Sequence, residues 1–224
     1  MFNHQSITNM PQLPTLVKKD GKHFYKIPQG QVYASITTKL AKTKDYSGLN
    51  IWKQRVGKSV ATHIMESASI NGTATHSIIE NYLNNKECVE KSLLPNAHFQ
   101  NMKQLIDKID NIHFTEIPLF SADLETAGTC DCIAEYDGVP SIIDFKTSRN
   151  RKQKAWIQDY FLQGTAYALM YHEMTGILLS QVVILISGED GSLEEHVVLP
   201  SSFISKLDAR LRMYEKIQSS ITCA

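Results

Sequence analysis

The stretch Ala127-Gly-Thr-Cys-Asp131-Cys-Ile-Ala-Glu-Tyr136-Asp137-Gly138-Val139-Pro-Ser-Ile-Ile-Asp144-Phe-Lys146 reads as two β-strands joined by a two-residue turn. Period-two patterning runs on both sides of Asp137-Gly138, and an Asp-Gly pair suits the two left-handed positions of the tightest hairpin loops. With a turn of that length Tyr136 pairs with Val139, and Asp131 comes directly opposite Asp144. Cys130, Cys132, Ala134 and Tyr136 then share a face with Val139, Ser141, Ile143 and Phe145, and this largely apolar face is expected to meet the core. The other face carries Asp131, Asp144 and, two residues on, Lys146.

Directly opposed side chains have Cβ atoms roughly 5 Å apart, and like charges so placed destabilise a sheet. Two convergent carboxylates therefore call for a positive partner. A hard divalent cation, Mg²⁺ or Mn²⁺, suits them, and an adjacent lysine could bind or activate a water. The same residues also fit a plainer arrangement, two solvent-facing aspartates with Lys146 as their charge partner. A one-residue slip of the register would send one aspartate to the opposite face.

Outward from the hairpin, His113 to Leu119 reads as the preceding strand. A helix from about Ala155 to Met174 follows, then strands near Gln181 to Ile186 and Leu193 to Val198 around Gly188-Glu-Asp-Gly, and a closing helix from Ser201 to Gln218. Upstream, Ile51, Trp52, Val56, Val60, Ile64 and Met65 recur at helical spacing until Asn71-Gly72 breaks the run. A second helix is expected from Thr73 to about Leu83, with Ile79, Tyr82 and Leu83 inward, and a third from Ala97 to Ile109. The first 35 residues, with prolines at 11, 14 and 28, read as irregular or short-strand structure. Helices, three strands, helix, two strands and helix describe an α/β or α+β chain with a mixed sheet.

At 224 residues, 42% hydrophobic and 21% charged, the chain matches one globular domain. Its longest apolar stretches, such as Gly176 to Ser187, fall short of the ~20 residues that cross a bilayer. The opening residues show neither a secretory nor a transit pattern, so the expectation is a cytoplasmic protein with no membrane partner. Cys88, Cys130, Cys132 and Cys223 lack the paired spacing of a zinc or iron–sulfur site and are expected to be reduced packing residues. The formal charge is zero, but residues 1 to 60 hold ten Lys/Arg against two acids while residues 61 to 224 hold 13 against 21. Such asymmetry suits a phosphate-binding arm as well as it suits a solvated basic face.

Gly128-Thr-Cys-Asp131, twelve residues, then Asp144-Phe-Lys146-Thr-Ser resembles the two core motifs of the PD-(D/E)XK nucleases. Gly72-Thr-Ala-Thr-His76, Glu116-Ile-Pro-Leu and Gln163-Gly-Thr-Ala-Tyr167 resemble, in order, the histidine, acidic-strand and Q-x-x-x-Y motifs of the RecB-like branch. Ser35-Ile-Thr-Thr38 with Trp52 and Arg55 resembles the opening region of mitochondrial genome maintenance exonucleases and related phage exonucleases. Cys130 stands where the class name has proline, and the four-cysteine pattern of some relatives is absent, so no iron–sulfur cluster is expected.

The resemblance implies an α/β, restriction-endonuclease-like core with a central mixed β-sheet flanked by helices, plus a helical N-terminal region. Residues 1–224 would form a single nuclease domain, with 1–70 a basic, helical region through which DNA enters, 71–200 the core and 201–224 a C-terminal helix. It also implies that Asp131, Asp144, His76 and the Phe145 carbonyl ligate one or two Mg²⁺ or Mn²⁺ ions. Lys146 would stand at the scissile phosphate, with Glu116 in the acidic cluster and Gln163 and Tyr167 facing the site or the DNA backbone. Glu80, four residues from His76, would orient it, hold a second ion or be an ordinary surface carboxylate. Arg149, Arg151, Lys152 and Lys154 would grip phosphates near the cut, and Lys53, Arg55 and Lys58 would track the DNA on its way in. Trp52, Phe24, Tyr25 and Tyr33 would stack unpaired bases or fill a core. The implied activity is an exonuclease acting on single-stranded DNA ends in replication, recombination or repair, in the host cytoplasm were the chain phage-encoded. A restriction-like endonuclease and a catalytically silent nucleic-acid-binding module are the competing functions.

Overall fold

In the computed structural model, which describes residues 1–8, 10–19, 21–87, 91–152 and 157–222, with side chains to 220, the hairpin forms as its turn residues require. Thr126–Tyr136 (β5) and Val139–Ser148 (β6) pair antiparallel, with Tyr136 opposite Val139 and Cys132 opposite Ile143. Asp137 and Gly138 both have positive φ, 50° and 77°, as a primed turn demands. Ile109–Ser121 (β4) lies antiparallel beside β5. Beyond β6 the chain passes through a helix, Gln158–Thr175 (α5), and returns as Gln181–Gly188 (β7), parallel to β6. Parallel neighbours need such a crossover. Leu193–Val198 (β8) adds an antiparallel edge, giving a mixed five-stranded sheet in the order β4-β5-β6-β7-β8.

Helices cover both faces of this sheet. On one side Ile36–Lys42 (α1), α5 and Ile204–Thr222 (α6) bring Ile36, Leu40, Phe161, Ala166, Leu207 and Leu211 against Ile133, Ile142, Val182 and Ile184. On the other, Lys58–Leu83 (α3) and Leu93–Ile106 (α4) bring Ile78, Ile79, Leu83, Phe99 and Met102 against Cys132, Ala134, Ile143, Val183 and Leu185. Residues of β7 enter the two cores alternately, and a strand buried on both faces reads as a continuous apolar run. The class is therefore α/β, a central mixed sheet flanked by helices, as expected.

The two-faced burial corrects one expectation about the hairpin. Cys130 joins the first core with Ile133, whereas Cys132 and Ala134 join the second, so the two cysteines do not share a face. The alternation breaks across Asp131. On β4 the residue beside that break is Glu116, whose φ of 48° is left-handed, between the pairs Thr115–Cys132 and Ile117–Cys130. The β5–β6 ladder likewise ends at Cys132–Ile143, one step short of the Asp131–Asp144 pairing the turn predicted.

Further corrections concern the N-terminal region. Thr15–Lys19 (β1), Lys22–Lys26 (β2) and Val32–Ala34 (β3) form a small antiparallel sheet, docked through Tyr25 and Ile27 onto Phe120 and Ala127. The first 35 residues thus hold the short strands expected of them, and the 1–70 region is not wholly helical. The helical break falls at Gly57, not at Asn71-Gly72. Gly57 has φ 88° and ψ 147°, a conformation open to glycine, and separates Ser47–Val56 (α2) from α3. A glycine inside a helix costs about 1 kcal/mol, but burial of Thr75, Ile78, Ile79 and Leu83 in the following turns holds α3 intact through Gly72. The apolar stripe of this run stays largely outside the cores: Ile51, Val60 and Met65 are exposed, while Trp52, Val56 and Ile64 are half-buried.

The helix expected from Ala97 to Ile109 starts at Leu93 and stops at Ile106, because Ile109 already belongs to β4. The expected start of α5 at Ala155, together with Lys154, Cys88 and Cys223, lies outside the described residues. Among the described residues no helix is long and apolar enough to cross a membrane.

Candidate functional site

The middle stretches of β4, β5 and β6 carry Glu116, Asp131 and Asp144, His76 stands in the C-terminal half of α3, and there the candidate residues gather. His76, Glu116 and Asp131 each offer one ligand atom, all within 4.8 Å of one another. Nδ1 of His76 lies 3.6 Å from Asp131 Oδ2 and 3.8 Å from Glu116 Oε1. Its Nε2 lies 2.8 Å from the Phe145 carbonyl oxygen. A carbonyl only accepts, so that nitrogen carries the proton and Nδ1 faces the carboxylates. The left-handed backbone at Glu116, which costs an L-residue about 1–2 kcal/mol, falls at this cluster, as stored strain at functional sites tends to do. Asp131 Oδ2 also accepts the Phe145 main-chain N–H at 3.0 Å, tying the two strands together just where their ladder stops.

Asp144 is 1% exposed. Its Oδ1 accepts from Lys146 Nζ at 2.7 Å. Oδ2 is 2.6 Å from the same ammonium and has no hydrogen bond among the described residues, so the charge of Lys146 is its partner there. Burial pushes the Asp144 carboxyl up to about 6, although Lys146 pulls it down. Burial alone would lower the Lys146 ammonium, but Asp144 and Asp131 outweigh it and hold the group above its ordinary value. For His76, too, burial is outweighed, by the charge of Asp131 and by nearby Glu116, and its pKa rises to about 9. Carboxylate oxygens from three strands, an imidazole and a carbonyl form a donor set that fits Mg²⁺ or Mn²⁺.

Of the sequence-predicted residues, His76, Glu116, Asp131, Asp144, Phe145 and Lys146 are thus brought together, with partners that differ from the expected ligand set. Glu116 stands with His76 and Asp131, while Asp144 is occupied by Lys146; the Phe145 carbonyl is engaged by His76. Glu80 lines the same cleft with Gly72, Thr73 and Ser77 but is not one of the three clustered donors. Gln163 and Tyr167 are buried behind the site, the amide 3.3 Å from the phenol oxygen. Burial and the nearby Cys130 and Asp131 raise the Tyr167 pKa well above its usual value. A Cβ at Gly128 would come within 2.8 Å of the Tyr167 ring, so this glycine lets the phenol pass close beneath β5.

Arg149 and Arg151 are exposed just beyond β6. Their loop is fastened: the Arg151 and Lys152 N–H groups donate to Asp190 and Glu194, at 3.1 and 2.9 Å. Lys53 and Lys58 line a shallow depression between α2 and α3, and Arg55 is exposed on α2. Tyr25 is 2% exposed and bonded to Thr129 Oγ1 at 2.9 Å, which places it in a core rather than on a base-stacking surface. Sequence reasoning missed Tyr160, which stands beside both Lys146 and Lys152; only its spacing from Gln163, one helical turn, could have pointed to it.

No family model matches the chain. It is similar to human mitochondrial genome maintenance exonuclease 1, with 28% identity over 183 residues, 75% of this chain and 53% of the relative. The chain thus spans about half the length of that curated relative. Among solved structures it is similar to a candidate exonuclease from Eubacterium rectale, at 14% identity and a TM-score of 0.45, covering 69% of this chain and 66% of that one. That likeness is too slight to carry function.

Proposed function

We propose that the chain is a metal-dependent deoxyribonuclease of the PD-(D/E)XK class, RecB-like branch, that shortens single-stranded DNA from an end. The observation that carries this reading is the gathering of His76, Glu116 and Asp131 around one point, beside a buried Asp144 whose second oxygen has no hydrogen bond among the described residues. Similarity to a protein named an exonuclease supports it. His76, Glu116, Asp131, Asp144 and the Phe145 carbonyl would hold one or two ions, and the residues 1–70 would admit the strand to a site built on residues 71–200. The cytoplasm, the host's for a phage protein, is the proposed place of action, in replication, recombination or repair.

A bound divalent cation supplies Lewis acidity and a nucleophilic water at neutral pH. The chain's own residues do the rest. Lys146 holds a full positive charge at the rim of the carboxylate cluster, where it offsets charge developing on the phosphate. The Phe145 carbonyl fixes the His76 ring by accepting a hydrogen bond from Nε2–H, which keeps Nδ1 aimed at the cluster. Arg149, Arg151 and Lys152 stand on a fastened loop at the end of β6, suited to neighbouring phosphates.

End-labelled linear and closed circular single-stranded DNA of one sequence, incubated with Mg²⁺, Mn²⁺ or EDTA, test the proposal. Shortening of the linear strand with either metal, circles left whole and no cleavage in EDTA are expected. Rapid cutting of circles would make the protein an endonuclease, and binding without cleavage under every condition would leave only a nucleic-acid-binding module.

A further inference from the structure

Tyr160 belongs to none of the motifs above, yet it touches both a catalytic and a binding lysine of the proposed reaction. It is half-buried on α5, one turn before Gln163. Lys146 Nζ lies over its ring at 5.2 Å from the centroid, and Lys152 Nζ at 4.9 Å from the same centroid. The Lys152 ammonium also donates to the phenol oxygen. The backbone of Lys152 is fixed by Glu194, so ring and loop meet in a set position.

A lysine ends in a compact, strongly hydrated charge on a flexible four-carbon stem, and its aim must come from its neighbours. Two contacts of the Lys146 ammonium are its pair with Asp144 and its place over Tyr160. The carboxylate is also wanted by the proposed cation. The aromatic ring is not a ligand the cation would take, although it also meets Lys152, and its negative quadrupole attracts an ammonium most where water is excluded.

We propose that Tyr160 is a positioning residue whose ring holds the Lys146 ammonium at the reaction centre and whose hydroxyl holds Lys152 towards the DNA backbone. This rests on the nuclease reading above. One side chain then sets both the lysine that acts in the transition state and a lysine that acts in binding, and the two roles separate by substitution. Removing the ring frees Lys146; removing the hydroxyl alone frees only Lys152.

The test compares the wild-type chain with Tyr160→Leu, Tyr160→Phe and Lys152→Ala, using Tyr160→Met should the leucine variant not fold. Kinetics on linear single-stranded DNA with Mn²⁺ give kcat and KM. In EDTA, acetylation of Lys146 by an amine reagent, followed by mass spectrometry, reads the ammonium's environment without cleavage. Loss of the ring should lower kcat on the order of 100-fold, as misplacing a catalytic group does, and should speed acetylation of Lys146. Tyr160→Phe should restore most of kcat while raising KM as Lys152→Ala does. Wild-type kcat and acetylation without the ring, or a phenylalanine variant as slow as the leucine one, would overturn the proposal. A wild-type chain that cleaves no DNA would instead overturn the nuclease reading and the catalytic half with it, while the acetylation rates still decide whether the ring holds Lys146.

Discussion

His76 carries a pH consequence that falls close to neutrality. Its folded pKa of about 9 lies above the ordinary 6.5, because Asp131 and Glu116 outweigh burial. The metal-free fold therefore draws full benefit from the protonated ring below about pH 6.5 and loses that benefit as pH rises through 9. A cation held by His76, as proposed, would have to displace that proton. Mn²⁺ affinity measured by calorimetry is expected to tighten roughly tenfold per pH unit between pH 6 and 8, and His76→Ala should bind more weakly with a shallower slope. An equal slope in both proteins would place the displaced proton elsewhere. At the same scale, Asp131→Asn and Asp144→Asn should abolish cleavage with far-ultraviolet circular dichroism unchanged, while Lys146→Ala should lose several orders of magnitude in rate yet keep Mn²⁺ affinity, since its charge matters mainly in the transition state. The six gathered residues were legible because their types and order suffice to find them. Their partners were not: that Glu116 closes on His76 depends on a left-handed backbone at one glutamate, which no residue preference announces.

Elements were legible where a turn or a long pattern enforced them. Asp137-Gly138 dictated the β5–β6 register, and the apolar run of β7 marked a strand, which the structure covers on both faces. The strands of the N-terminal sheet, of three to five residues, are too short for alternation to show, and α3 ran through Asn71-Gly72 because tertiary burial overrode local propensity. The helices also share a joint that patterning does not reveal. Arg210 on α6 donates to Asp159 at 2.9 Å, to Thr43 Oγ1 at 2.7 Å and to the Leu40 carbonyl at 2.7 Å, stapling α1, α5 and α6 on one side of the sheet. Lys44 keeps Asp159 paired at 3.0 Å, which limits the damage of losing the guanidinium. Arg210→Ala should destabilise the fold by about 2–3 kcal/mol, seen as a lower urea midpoint at unchanged slope. A midpoint within error of wild type would show that the staple is incidental.

Across the whole molecule, the charge asymmetry that composition exposed has a structural address. Lys53 and Lys58 border the depression between α2 and α3, Arg55 is exposed on α2, and α3 leads from there directly to His76. With no residue of α2 buried and Lys58 exposed at the start of α3, these three positions contribute little to either core, so their substitution is separable from folding. If the strand follows α3 to the cluster, these three cations contact phosphates in series and release counterions as it binds. Replacing Lys53, Arg55 and Lys58 together by Gln should weaken binding of single-stranded DNA in EDTA and lower the slope of log affinity against log salt by about 2, since each phosphate neutralised on a single strand contributes roughly 0.7. The melting temperature should hold, and kcat at saturating DNA should fall far less than kcat/KM, because the lost contacts are equal in ground and transition states. An unchanged salt slope would detach the basic region from the path of the DNA and leave Arg149, Arg151 and Lys152 as the proposed grip on the strand.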